Sequence, residues 1–242
     1  MTNLLKKIPP LDRAILLANT VVLGLVTTWR FALLLQALIA IHETGHVLAV
    51  RRFGIGLKEI KGLPLAGAAV VPEKAYPDRA AEAWTFLAGP LFGGGLGFVL
   101  FLAYLWTNWA PLGMVALLSV SINGLNLVPF VPLDGGHIVR TFSAGLKRPA
   151  RALIFGLTSA VAGMYLFKTA PGLVWYCLPF FAFSAFISLR PQPEAKPFRR
   201  KSAQVILATY LAAGTLFIAT AAFLSRVPSV ISYQKTFMGR SR

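Results

Sequence analysis

The feature that most constrains this chain is a series of long apolar runs. Seven can be marked out, at about residues 14–29, 31–50, 83–107, 111–131, 151–170, 172–189 and 202–225. A hydrocarbon core about 30 Å thick is crossed by about 20 helical residues, and each run approaches or exceeds that length. Backbone amides have no water to bond inside a bilayer, so runs of this length fold as helices that satisfy their own hydrogen bonds. Composition agrees: 56% of the 242 residues are hydrophobic and 13% charged, against about 25% charged in soluble domains. The expected fold class is therefore an all-α polytopic membrane protein of six to seven transmembrane helices. The first apolar segment is followed closely by a second and shows no small-residue cleavage site, so residues 1–30 are expected to be a retained anchor helix and not a signal peptide.

The net charge of +16 would suggest nucleic acid in a soluble protein. Its distribution gives another explanation. With the N-terminus inside, segments 1–13, 51–82, 136–151 and 190–201 hold 18 of the 24 Lys and Arg residues, which is the positive-inside pattern of a multi-pass protein. No nucleic-acid partner is expected. Four of the remaining six lie in the C-terminal tail, which leaves six and seven spans both open. Residues 55–82 are too polar to span, and the pieces Leu57–Ile60 and Ala66–Val71, separated by Gly62 and Pro64, predict a small cytoplasmic β element. Lys58 and Lys61 beside it read as ordinary cytoplasmic charge. The lone Cys177 excludes an intramolecular disulfide and a cysteine zinc cluster.

Ionisable groups inside apolar segments are costly and usually pair, bind an ion or line a wet cavity. Here they gather in two places: His42, Glu43 and His46, and the neighbourhood of Asp134 and His137. His42 and His46 are spaced i, i+4, which puts both imidazoles on one helical face with Glu43 beside them. Two such imidazoles fill two positions of a tetrahedral zinc, and the glutamate is placed to take the proton of an attacking water. A third protein ligand is then required. At 1.5 Å per residue, His46 lies about 8 Å from the basic edge at Arg51 and Arg52, and Asp134 about 9 Å from the edge near Arg140, so the two motifs meet at one depth. Pro129 and Pro132 break the segment before Asp134, and Gly135 and Gly136 open its backbone. Such backbone survives at membrane depth only within protein or against a cavity. Asp134 is the first candidate for the third ligand and His137 the second.

Asn126 either satisfies backbone freed by the prolines or donates to a substrate carbonyl or oxyanion. Asn123, one turn earlier, reads as a packing or helix-bonding amide. The stretch AGPLFGGGLG, residues 88–97, reads as a surface for close helix packing.

These residues resemble the site-2 protease family of zinc intramembrane metalloproteases. The resemblance rests on HETGH at 42–46, FLAGP at 86–90 and NLVPFVPLDGGH at 126–137, and covers about residues 31–145. It implies one Zn2+ per chain held by His42, His46 and Asp134, Glu43 as general base, and Asn126 on the substrate or oxyanion. It also implies membrane-anchored substrates with a transmembrane helix, a prokaryotic cell membrane, and an active site toward the cytoplasm. The domain expectation is an anchor at 1–30, a metalloprotease core at 31–145, and C-terminal helices with a basic tail at 146–242. Many relatives carry an Asn shortly after the Gly-Pro, where this chain has Gly93. No PDZ or CBS domain is read, and the last three apolar segments carry no motif. The competing expectation is a catalytically silent membrane protein that binds or sequesters client helices with a structural zinc. Intact Glu43 weighs against it. A metal-ion transporter is disfavoured because the ionisable groups sit at one depth and form no relay.

Overall fold

The computed structural model describes residues 4–64, 67–169, 186, 190 and 196–239. After a short 3-10 turn, Leu4–Lys7, come α1 (Pro10–Val26), α2 (Trp29–Arg52), β1 (Leu57–Leu63), β2 (Gly67–Pro72), α3 (Arg79–Thr107), α4 (Ala110–Asn126), α5 (Asp134–Ser143), α6 (Arg148–Thr169), α7 (Arg200–Leu224) and α8 (Pro228–Phe237). Among the described residues, α2, α3 and α7 are long and apolar enough to cross a membrane. The mostly helical architecture with one small sheet is as expected. The apolar run at 172–189 and Cys177 lie outside the described residues.

Helix boundaries follow local chemistry. Thr28 and Asp78 cap α2 and α3, their side chains accepting from Phe31 N–H and Ala81 N–H, which satisfies amides a helix N-terminus leaves open. Asn108 ends α3 in the left-handed region at φ 51°. The fourth apolar run extends to residue 131, but α4 stops at Asn126. Pro129 and Pro132 cannot supply helical N–H groups, so the chain turns through 127–133 and restarts as α5 at Asp134. Gly135 and Gly136 let that first turn lie against the loop, since a Cβ on either would collide with the backbone of Leu127 or Phe130.

The two strands form an antiparallel hairpin pairing Glu59 with Val71, Ile60 with Val70, Lys61 with Ala69, Gly62 with Ala68 and Leu63 with Gly67. β1 runs on to Leu63, farther than the expected Leu57–Ile60. One face packs Leu57 and Ile60 against Val47, Val50 and Ile55 at the end of α2. From α1, Asp12 Oδ1 accepts from Gly62 N–H at 2.9 Å and Asn19 Nδ2 donates to the Leu63 carbonyl at 2.8 Å. The outer side of β1 is thereby occupied by α1.

The bundle core lies where α3, α4, α5 and α7 meet. Ala83, Leu87, Val120, Leu127 and Ile138 pack with Ile206, Ala213 and Phe217 of α7. Tyr210 of α7 donates its hydroxyl to the Leu127 carbonyl at 2.5 Å, pinning the broken segment just after Asn126. At the opposite end α8 packs Val230 against Tyr104 and Met114, and the Phe237 carbonyl accepts from Thr28 Oγ1 at 2.7 Å. Residues Pro228–Phe237 of the tail, read from sequence only as a basic stretch, thus form a docked helix.

Candidate metal centre

Helix α2 brings His42 and His46 one turn apart on the face toward α3, and α5 presents Asp134 from its first turn. The two Nε2 atoms lie 3.1 Å apart. Asp134 Oδ2 is 3.2 Å from His42 Nε2, and Oδ1 is 3.4 Å from His46 Nε2. All three residues are buried, and their ligand-type atoms fall within 4.8 Å of one another.

The protons decide what this cluster can hold. His46 Nδ1 is 2.8 Å from the Thr85 carbonyl, which only accepts, so Nδ1 carries the hydrogen. Asn123 Nδ2 donates to the Ser119 carbonyl at 2.8 Å, which turns Oδ1 toward His42 Nδ1, also at 2.8 Å. His42 Nδ1 must then be the donor as well. In the neutral imidazoles that a metal requires, both Nε2 atoms then carry lone pairs directed at each other and at a carboxylate. Asp134 Oδ2 takes no hydrogen bond despite its proximity to His42. Buried acceptors facing one another without a proton between them are unfavourable unless a cation sits among them. Two imidazole nitrogens and one carboxylate are the donor set of a catalytic zinc with one open position. The residues fit the metal.

Glu43 is buried beside this cluster. The Val70 backbone N–H faces its carboxylate, while its Oε2 has no partner. One strand thus orients the carboxylate and leaves an oxygen free to accept a proton. Narrow and wide pairs alternate along an antiparallel ladder. With Val70 N–H turned to Glu43 and Gly62 N–H turned to Asp12, the outward backbone groups of Val70 and Ala68 face the cleft.

That cleft has a volume of about 320 Å³ and is lined by the three metal-type ligands, Glu43, Ala68, Val70, Tyr76, Asn126 and His137 among others. Asn126 reaches it half-buried and donates Nδ2 to the Ile122 carbonyl at 3.1 Å. His137 is outside the three-residue group; its ring stacks on Phe86 at 4.3 Å between centroids and 8° between planes. Tyr76, in the loop before α3, has its hydroxyl held above the usual phenol range by burial and then by the charges of Glu82 and Asp134.

Sequence reasoning did not single out Thr85, Val70, Tyr76 or Gly89. A Cβ at Gly89 would collide with His46 Nε2 and lie 2.9 Å from His42 Nε2. The glycine keeps the wall of the site open on the α3 side. Asn123, read as a packing or helix-bonding amide, does bond a neighbouring helix, and its partner there is the metal-type ligand His42.

Comparison with known proteins agrees with this geometry. The model of peptidase family M50 matches residues 30–110 and 105–162, more than half of the chain. A zinc metalloprotease of Methanocaldococcus jannaschii is 29% identical over 113 residues, 45% of this chain and 32% of its own length. A Synechocystis sp. protein named as a zinc metalloprotease is 29% identical over 129 residues, 50% of this chain and 32% of that protein. The chain thus spans about a third of the length of these curated relatives. The solved site-2 protease from Methanocaldococcus jannaschii superposes with a TM-score of 0.52 at 22% identity, over 78% of this chain and 93% of that one, a likeness of fold. With the HETGH helix and the Asp134 segment both inside the matched residues, the chain belongs to peptidase family M50.

Proposed function

We propose that this chain is an intramembrane zinc endopeptidase, hydrolysing peptide bonds in or near transmembrane segments of membrane-anchored substrates. The observation that carries the reading is the convergence of the His42 and His46 Nε2 atoms and the Asp134 carboxylate on one point, with an unpartnered Glu43 oxygen in the same buried cleft. His42, His46 and Asp134 would hold one zinc, which when bound acts as a Lewis acid toward the scissile carbonyl and makes its water easier to deprotonate.

Glu43 Oε2 takes one proton from the attacking water as the oxygen bonds to the carbonyl carbon. The C–N bond then breaks, and Glu43 returns the proton to the leaving amine nitrogen. Val70 N–H holds the carboxylate in place through both steps. Asn126, whose amide already borders the cleft, would turn from the Ile122 carbonyl to the substrate oxygen. A helical substrate hides its carbonyls and must be unwound before attack. The outward edge of β2 at Ala68 and Val70 offers backbone groups to an extended segment, as in strand addition. Because α1 occupies the outer side of β1, the β2 edge is the one left to a substrate.

The basic ends of α2 and α5 and the start of α3 are assigned to the cytoplasmic side of a prokaryotic cell membrane, with the remaining apolar helices completing six to seven spans. Purified full-length chain in a bilayer, loaded with zinc, is expected to cut a single-span peptide, with product masses mapping the cut to the apolar stretch or its border. Zinc-loaded protein of intact fold that cuts no single-span substrate would favour a silent binder of client helices.

A further inference from the structure

The amide of Asn123 belongs to α4, yet its contacts run to both neighbouring helices. It is fully buried, at 0% exposure. Nδ2 is committed to the Ser119 carbonyl, and Ser119 Oγ in turn donates to the Gly93 carbonyl on α3 at 2.8 Å. Oδ1 meets His42 Nδ1 at 2.8 Å. The space that admits the amide exists because residue 93 lacks a side chain: a Cβ there would fall 2.5 Å from Nδ2 and 2.6 Å from Oδ1.

We infer that Asn123 is a positioning residue that fixes His42 in the Nδ1–H tautomer and so aims its Nε2 lone pair at the metal position, with Gly93 providing the space. The inference rests on the zinc reading above. An amide can present either end to an imidazole, and the wrong end would leave Nδ1 as the acceptor and put the proton on Nε2, where a metal must bind. The Ser119 carbonyl removes that choice, because it accepts only from Nδ2. His46 needs no equivalent side chain, since the Thr85 carbonyl imposes the same tautomer from the backbone. The two histidines are therefore held by unlike devices, and only His42 responds to substitution of a side chain. Partners of this kind orient metal-ligating histidines, and their removal typically weakens metal binding by about 10- to 100-fold.

The chain has three histidines, so ring-nitrogen NMR of 15N-histidine-labelled full-length protein in a bilayer resolves each tautomer. In zinc-free wild type, at a pH high enough to leave both rings neutral, His42 and His46 are both expected as Nδ1–H. In Asn123→Ala the His42 signal alone should shift to a tautomer mixture, with zinc affinity lowered about 10- to 100-fold. Asn123→Asp retains an acceptor and should restore the His42 Nδ1–H signal, while Gly93→Ala, which displaces the amide, should reproduce the alanine variant. Finding His42 as Nε2–H in zinc-free wild type overturns the inference even if no variant folds, as does a folded Asn123→Ala with unchanged tautomer and zinc affinity. If wild type shows the expected tautomers but binds no zinc, the metalloprotease reading fails instead.

Discussion

Nε2 of His42 and Oδ2 of Asp134 face each other across 3.2 Å, so that with a neutral imidazole each offers a lone pair and neither a proton. A cation between them turns that repulsion into coordination. Asp134→Ala should therefore abolish stoichiometric zinc in the purified protein, measured by elemental analysis, whereas His137→Ala, which loses only a ring stacked on Phe86, should retain it. Chelation of the wild type should lower its thermal midpoint, and added zinc should restore it.

Gly89 lines the metal position from α3. Gly89→Ala should exclude the ion sterically, because the new methyl falls on both Nε2 atoms. Zinc content is expected to drop to near that of Asp134→Ala although no ligand has changed. A Gly89→Ala protein with full zinc would show that the histidines can move aside.

The Val70 N–H lies outside the hairpin ladder and faces Glu43. Proline is tolerated at a strand position whose N–H faces away from its partner, so Val70→Pro should fold and bind zinc. Cleavage should fall by about tenfold, since Glu43 loses its orienting donor. Unchanged cleavage would remove β2 from the mechanism.

Asp12 ties α1 to β1 through Gly62 N–H. Asp12→Ala leaves that donor without its partner, at a cost of about 1 kcal/mol for a half-buried hydrogen bond. Amide exchange at Gly62 and Leu63 should accelerate, with zinc binding unchanged.

How much of this was legible in the sequence depended on whether a side chain or the backbone carried the information. His42, Glu43, His46 and Asp134 were readable because charged groups in apolar runs need a reason, and their matched depth anticipated the 3.2 and 3.4 Å approaches. The proline break was readable too, though α4 ends five residues before the apolar run does. Thr85 and Val70 were not: each acts through a main-chain group, and any residue there offers a carbonyl, or an N–H unless it is proline. Tyr210 reaches the Leu127 carbonyl from a helix without a motif, a contact that only packing reveals. Asn123 was visible as a buried amide, but its partner across 81 positions was not.

The central claim is that Glu43 is the base of a zinc peptidase, and Glu43→Gln tests it most directly. Glutamine keeps the size and the acceptor for Val70 N–H but cannot take a proton. The variant should bind zinc as the wild type does and fail to cut, so that membrane proteomes of cells carrying it accumulate uncut single-span proteins that wild-type cells process. Identical membrane proteomes, with zinc bound in both proteins, would contradict the account.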